Sequence, residues 1–230
     1  MKIDKKVSHW MNYHKFYIGK RFFHNTFKKI GRKYVRGLIL DIGAGLSPFE
    51  KYITDGKFIT LEYTIKDKPI VVGSAMSLPF KTEAFDSIIC TEVLEHLEEP
   101  GDCIKEIKRV LKKGCYLYLT APMIWCLHYE PRDFYRFTNH GLVYLMGKEN
   151  FKIIEVKPIG GIFSFIGMRF CEKFFNIVNK GIFFLPKNWR FIFTIPITFP
   201  VSFLIYNIVN ILDKMGKRDV FSWCVIAVKE

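Results

Sequence analysis

The sequence predicts an α/β fold built on a doubly wound, mainly parallel sheet. Three observations predict it. Short apolar runs of strand length recur between residues 38 and 157, separated by segments with helical spacing. The first run ends in the tight-turn sequence Gly43-Ala44-Gly45, as a strand feeding a ligand crevice does. Half of the 230 residues are hydrophobic, enough for a sizeable core and too apolar for intrinsic disorder.

Residues 38–42 form the first strand, and 58–62 and 69–72 read as further strands, each bounded by charges or glycine. Residues 85–90 (FDSIIC) follow. Pro100 then opens a helix with Ile104, Ile107, Val110 and Leu111 on one face, punctuated by Lys112-Lys113-Gly114. Residues 115–120 (CYLYLT) are the next strand. Thr138 is placed to cap a helix around 139–147, and 151–157 returns to strand.

The six cysteines, at 90, 103, 115, 126, 171 and 224, make no C-x-x-C or Cys/His cluster. Neither a disulfide scaffold nor a structural zinc site is indicated, and no metal site is expected. Spread thiols fit a reducing cytosol. The N-terminal stretch is too charged for a signal peptide.

Net charge is +13, unevenly placed: residues 1–36 hold eleven Lys/Arg and one acid, Asp4. Within that segment Phe16, Phe23, Phe27, Ile30 and Tyr34 recur at helical spacing. Two readings stand: a basic amphipathic helix that meets an anionic membrane or phosphates, or a lid whose aromatic face packs on the domain.

In open parallel sheets ligands sit beyond the carboxyl ends of the strands, where the order reverses. The residues there are Asp41, Gly43 and Gly45. Glu62 ends the second strand, where a carboxylate can take two ribose hydroxyls. The third glycine of the dinucleotide fingerprint is missing, with Ser47-Pro48 in its neighbourhood. That argues against NAD and leaves room for a nucleoside without phosphates.

These residues, in order, resemble the class I S-adenosylmethionine-dependent methyltransferases. Four blocks carry the resemblance: LILDIGAG (38–45), Glu62, GSAMSLPF (73–80) with FDSIICTEVLEHLEEP (85–100), and KRVLKKGCYLYLTAP (108–122). The LPF…FD…EVLEHL block is similar to the branch that methylates small molecules and lipids. The resemblance implies a seven-stranded sheet with an antiparallel last strand, and S-adenosylmethionine as cofactor. It implies that Asp41, Gly43 and Gly45 surround the cofactor's amino-acid end and that Glu62 holds its ribose. Ser74, Ala75 and Met76 would meet the adenine, and Thr91 would lie near the methionine portion. Family members usually have Asp where this chain has Ser74, a neutral and shorter partner for the adenine amino group.

A narrower resemblance covers His128-Tyr129-Glu130-Pro131-Arg132-Asp133-Phe134-Tyr135-Arg136-Phe137-Thr138 and Gly141-Leu142. This pattern looks like methyltransferases encoded with cell-envelope polysaccharide enzymes, or those of quinone biosynthesis. His128 is the candidate general base, with Asp133 and Arg136 beside it. A mutual Asp133–Arg136 pair bracing the loop is the competing reading. His96, in LEHL, either faces the cleft or is structural.

Four segments follow: a basic amphipathic stretch over 1–36, the cofactor-binding core over 37–159, an apolar helical insertion over 160–220, and the last core strand over 221–230. Residues 191–212 hold no charge, and as one helix they would run about 33 Å, enough to cross a bilayer. A single crossing would leave the last strand on the wrong side of the membrane from its sheet. Residues 162–185 carry Arg169, Glu172, Lys173 and Lys180, and Pro196 and Pro200 are expected to break the longer run. The expectation is a monotopic, membrane-interfacial device; the alternative is a helical cap or dimer interface.

The function expected is methyl transfer to a small-molecule, lipid or lipid-linked sugar acceptor, at the cytoplasmic face of the cell membrane and against its anionic surface. The alternatives are RNA methylation through the basic segment, although no recognised nucleic-acid module accompanies it, and a non-catalytic S-adenosylmethionine-binding or scaffold protein.

Overall fold

The computed structural model describes residues 15–45, 47–65, 68–182, 184–185, 187–214 and 219–230. The beginning of the expected basic segment lies outside these. Seven strands form one sheet in the order β3-β2-β1-β4-β5-β7-β6. They are β1 (Gly37–Ile42), β2 (Gly56–Glu62), β3 (Val71–Val72), β4 (Phe85–Thr91), β5 (Leu111–Pro122), β6 (Phe151–Gly161) and β7 (Val220–Lys229). β1 pairs parallel with β2 and β4, and β4 pairs parallel with β5. β7 runs antiparallel to β5, with Tyr116 opposite Val228 and Pro122 opposite Ser222. The mainly parallel, doubly wound sheet with an antiparallel last strand is therefore present.

The chain forms two compact units. The larger comprises Asn25–Ile159 and Ser222–Glu230. Its central strands are apolar on both faces because helices or loops cover both. Ile39, Leu40 and Ile42 of β1, Ile88 and Ile89 of β4, and Leu117 and Leu119 of β5 are wholly buried. Pro100 stands at the first turn of the helix Pro100–Val110, whose Cys103, Ile104, Ile107 and Val110 face the core. That helix stops one residue before the periodicity suggests: Leu111 takes extended backbone and opens β5. The Oγ1 of Thr138 accepts from the Gly141 N–H at 3.0 Å and caps the helix Asn139–Lys148 as expected.

The aromatic stripe of the basic segment faces inward where the larger unit contains it. Phe27 is wholly buried, stacked on Phe49 at 4.4 Å and edge-on to Tyr118 at 5.0 Å. The α-helix Tyr17–Thr26 passes into a π turn over Phe27–Gly31, then a short α turn over Arg32–Tyr34. Lys28, Lys29, Arg32, Lys33 and Arg36 stay exposed.

The smaller unit comprises Met1–His24 and Gly160–Phe221. Two long helices, Ile162–Gly181 and Lys187–Leu212, pack together. Gly167 sits at the crossing, where a Cβ would approach Ile205 Cγ2 and Val209 Cγ1 to 2.9 Å. Pro196 and Pro200 do not break the second helix; it runs unbroken through both. Each proline removes only one N–H, leaving the carbonyls of Ile192 and Pro196 without that partner while the rest of the helix continues. Asp213, at the end of this helix, caps the start of the other: it accepts from Gly161 N at 2.8 Å, Phe163 N at 3.0 Å and Ser164 N at 3.3 Å.

Candidate active site

The strand order reverses between β1 and β4, and a cavity of about 540 Å³ opens at the carboxyl ends of β1, β2 and β4. Gly43 leaves β1 at φ +66°, and a Cβ there would meet Val93 Cγ2 at 2.3 Å, so only glycine serves both the turn and the fit. The turn folds back onto β2, with the Gly43 N–H donating to the Leu61 carbonyl at 2.9 Å. The Gly45 N–H then donates to Glu62 Oε1 at 2.6 Å. Glu62 is thereby aimed, and it lines the cavity together with Gly43, Ser74, Ala75, Met76 and His96.

Gly45 and Thr91 support this wall without lining it. Asp41 lies behind the wall, buried, with its carboxylate accepting from the Ser47 hydroxyl at 2.8 Å. Burial pushes its pKa up to about 7, against the pull of that hydroxyl. Ser74 Oγ accepts from the Met76 N–H at 3.2 Å and closes the turn on the opposite side.

The second cluster is built by the segment after β5. Asp133 is buried, and Arg136 grips it with both arms, at 2.7 Å to Oδ1 and 2.9 Å to Oδ2. Arg136 also donates to the Trp125 and Cys126 carbonyls, and Asp133 accepts from the His128 N–H at 2.9 Å. The pair braces the segment. Arg136 holds the Asp133 carboxyl far below the usual carboxylate range. His128 lies outside the cavity wall, its ring edge-on to His96 at 4.7 Å.

Among the wall residues that escaped the sequence reading are Tyr63, Glu92, Glu98, Tyr129 and Arg132. The Arg132 guanidinium lies over the Tyr63 ring at 4.4 Å and donates to its hydroxyl at 3.2 Å. Glu92 accepts from the Ser222 hydroxyl at 2.9 Å, and burial lifts its pKa to about 7 against the hydroxyls of Ser222 and Thr120. A signal for Glu92 was present, since it is an acid immediately after a buried strand. Arg132 and Tyr63 are 69 residues apart, and no spacing rule joins them.

Residues 40–119 match the family model described as a methyltransferase domain. The fold is the Rossmann-like fold of class I methyltransferases. S-adenosylmethionine is the cofactor of such a domain, and the cavity suits it: acids Glu62, Glu92 and Glu98 line the wall for a cationic sulfonium, and Gly43 leaves room for close backbone approach.

Similar proteins place the methyltransferase domain in a wider setting. Cycloartenol-C-24-methyltransferase 1 of Oryza sativa subsp. japonica is 36% identical over 93 residues, which is 39% of this chain and 26% of that protein. The chain thus spans only part of the curated relatives it matches. Phosphoethanolamine N-methyltransferase 2 of Haemonchus contortus, solved with S-adenosyl-L-methionine, superposes with a TM-score of 0.60 at 15% identity, covering 91% of this chain and 52% of that one. The [4+2]-cyclase SpnF superposes with a TM-score of 0.58 at 18% identity, covering 89% of this chain and 80% of that one. At such identities the likeness is one of fold.

Proposed function

We propose that this protein transfers the methyl group of S-adenosylmethionine to a lipid or lipid-linked acceptor at a membrane surface. The observation that supports cofactor use best is the Gly45–Glu62 hydrogen bond, which fixes a carboxylate across a glycine turn in a cavity of nucleoside size. When bound, the cofactor supplies an already activated methyl, so the chain's task is positioning and the exclusion of water. Glu62 orients the ribose, the turn from Gly73 to Met76 borders the base, and Arg132 with Tyr63 stands at the acceptor side. Glu92 and His96 are the cavity's candidate proton acceptors. Burial lowers the pKa of His96, which keeps its ring neutral at physiological pH. His128 remains the sequence-based candidate base, its ring edge-on to that of His96.

Membrane attachment is supported by the smaller unit's surface. Ile192–Leu212 is 21 residues long with a mean hydropathy of 1.8, and only a third of it is buried. Ile166, Phe170 and Ile177 on one helix and Ile197, Leu204, Ile208 and Ile211 on the other are more than 40% exposed. The two helices join β6 to its neighbour in the sheet, β7, so the chain that leaves the sheet returns to it. With Arg169 and Glu172 paired on the first helix, an interfacial hairpin on the cytoplasmic face fits better than a span.

The test has two arms. Titration with S-adenosylhomocysteine in a calorimeter should show saturable binding; no heat at millimolar ligand overturns the reading. The protein should float with anionic liposomes, and Leu204→Glu with Ile208→Glu should abolish flotation; unchanged flotation overturns the membrane assignment. The exposed row Lys28, Lys29, Arg32, Lys33 and Arg36 favours one second reading, an RNA acceptor. Salt-sensitive retention on RNA without liposome binding would establish it instead.

A further inference from the structure

Beside the cavity, three side chains from separate parts of the chain converge. Glu95 and His96 belong to the 3-10 turn Leu94–His96 after β4, and His128 belongs to the segment after β5. One ligand atom from each lies within 4.8 Å of the other two. Glu95 is wholly buried, and among the described residues neither of its oxygens has a hydrogen-bond partner. His96 Nε2 stands 3.7 Å from Oε1. A buried carboxylate without donors is costly by several kcal/mol. The cation whose charge acts on Glu95, Arg136, already holds Asp133 with both arms.

Both imidazoles are set to present a lone pair. His96 Nδ1 lies 2.7 Å from the Arg132 carbonyl, and a carbonyl only accepts, so the proton is on Nδ1 and Nε2 is bare. His128 Nδ1 lies 3.2 Å from the Cys126 carbonyl and 3.3 Å from Asp133 Oδ2, which favours the same tautomer. A histidine whose Nδ1–H is held by a carbonyl or carboxylate is how proteins prepare Nε2 for a metal. Asp133 is then a positioning residue: braced by Arg136, it orients His128.

We propose that Glu95, His96 and His128 bind a divalent first-row transition ion, with zinc the first candidate. Two neutral imidazoles and one carboxylate match that class of ion, and three protein ligands leave a coordination position open. Ligand atoms about 2.0–2.2 Å from a tetrahedral ion stand roughly 3.4 Å apart, so the side chains must close by about 1.4 Å at most. Of the three, His96 lines the cavity. Resting on the methyltransferase reading, the ion also names the acceptor class: a hydroxyl, acidified by the metal. With the ion bound, His96 and His128 are ligands in place of the proton-accepting roles above: the hydroxyl's proton leaves to solvent, its oxygen bonds the methyl carbon, and the electron pair of the broken C–S bond stays on sulfur as a thioether.

The sequence reading expected no metal because it searched for neighbouring Cys and His. These ligands are 32 and 33 residues apart in sequence and meet only through the sheet.

The test uses the full chain, stripped with EDTA, reloaded with zinc chloride, desalted and assayed by elemental analysis. About one zinc per chain is expected in the parent protein. Affinity should fall roughly 100-fold in Glu95→Gln and in His128→Asn. Glu95→Gln is isosteric, so folding is checked by circular dichroism and is expected to persist. Absence of bound zinc, and of calorimetric heat with zinc or manganese chloride, overturns the site. Zinc retained equally by both variants also overturns it, because the ion then sits elsewhere. S-adenosylhomocysteine binding is measured in parallel: zinc bound without it refutes the methyltransferase reading alone, and the reverse refutes the metal site alone.

Discussion

The Gly45 N–H donates to Glu62 Oε1 at 2.6 Å, joining the turn after β1 to the last residue of β2. One hydrogen bond thus sets both the path of the glycine turn and the direction of the carboxylate. Glu62→Ala removes the ligand contact and frees the turn together. S-adenosylhomocysteine affinity should drop at least about tenfold, or ~1.4 kcal/mol, while Glu62→Gln, which can still accept from Gly45, should lose less. Calorimetry on both variants, with circular dichroism to confirm folding, checks this order.

Asp41 gives the larger unit a pH dependence of defined sign. Burial raises its folded pKa to about 7 from an ordinary 3.8, so between those values the folded chain holds a proton that the unfolded chain has lost. Stability contributed by this group is complete below about pH 4, declines as pH rises towards 7, and is flat above. Three units correspond to about 4 kcal/mol at most. Asp41→Asn should remove that slope and raise the urea midpoint at pH 8, read from denaturation curves at pH 5, 6, 7 and 8.

Asp213 is predicted to hold the smaller unit together by capping. Asp213→Ala deprives Gly161, Phe163 and Ser164 of their N–H acceptor at the start of the helix Ile162–Gly181. The cost should be about 1–2 kcal/mol. Hydrogen exchange should accelerate at the first turns of that helix and remain unchanged in β4 and β5.

Asp133 and Arg136 form a buried-to-surface pair whose loss leaves one partner uncompensated. Asp133→Ala should destabilise by about 3 kcal/mol, lowering the melting temperature by several degrees. Arg136→Lys should recover only part of the pairing, because an ammonium cannot make the two-armed grip. Differential scanning calorimetry separates the two.

Much of the core was legible because its signals are local. Pro100, Thr138 and the turn at Gly43 act on backbone within one turn of themselves, and their elements lie where sequence placed them. Glu62 was legible because it ends the strand that follows a glycine turn. The readings that failed or stayed open concerned distant partners. Pro196 and Pro200 suggested broken pieces, yet one continuous helix runs through both, packed against the neighbouring helix. The aromatic stripe allowed a surface or a core, and the stack of Phe27 on Phe49 and Tyr118 favours the core.

Sequence alone determined the alternation of strands and helices, the crevice at the end of β1 and the acid that faces it, since periodicity and turn chemistry act over a few residues. Only the tertiary structure decided that Arg132 lies on Tyr63, that Asp133 is committed to Arg136, and that Glu95, His96 and His128 converge. Such meetings depend on which strands pair and in what register, and the free energy that fixes the register is shared across the whole sheet.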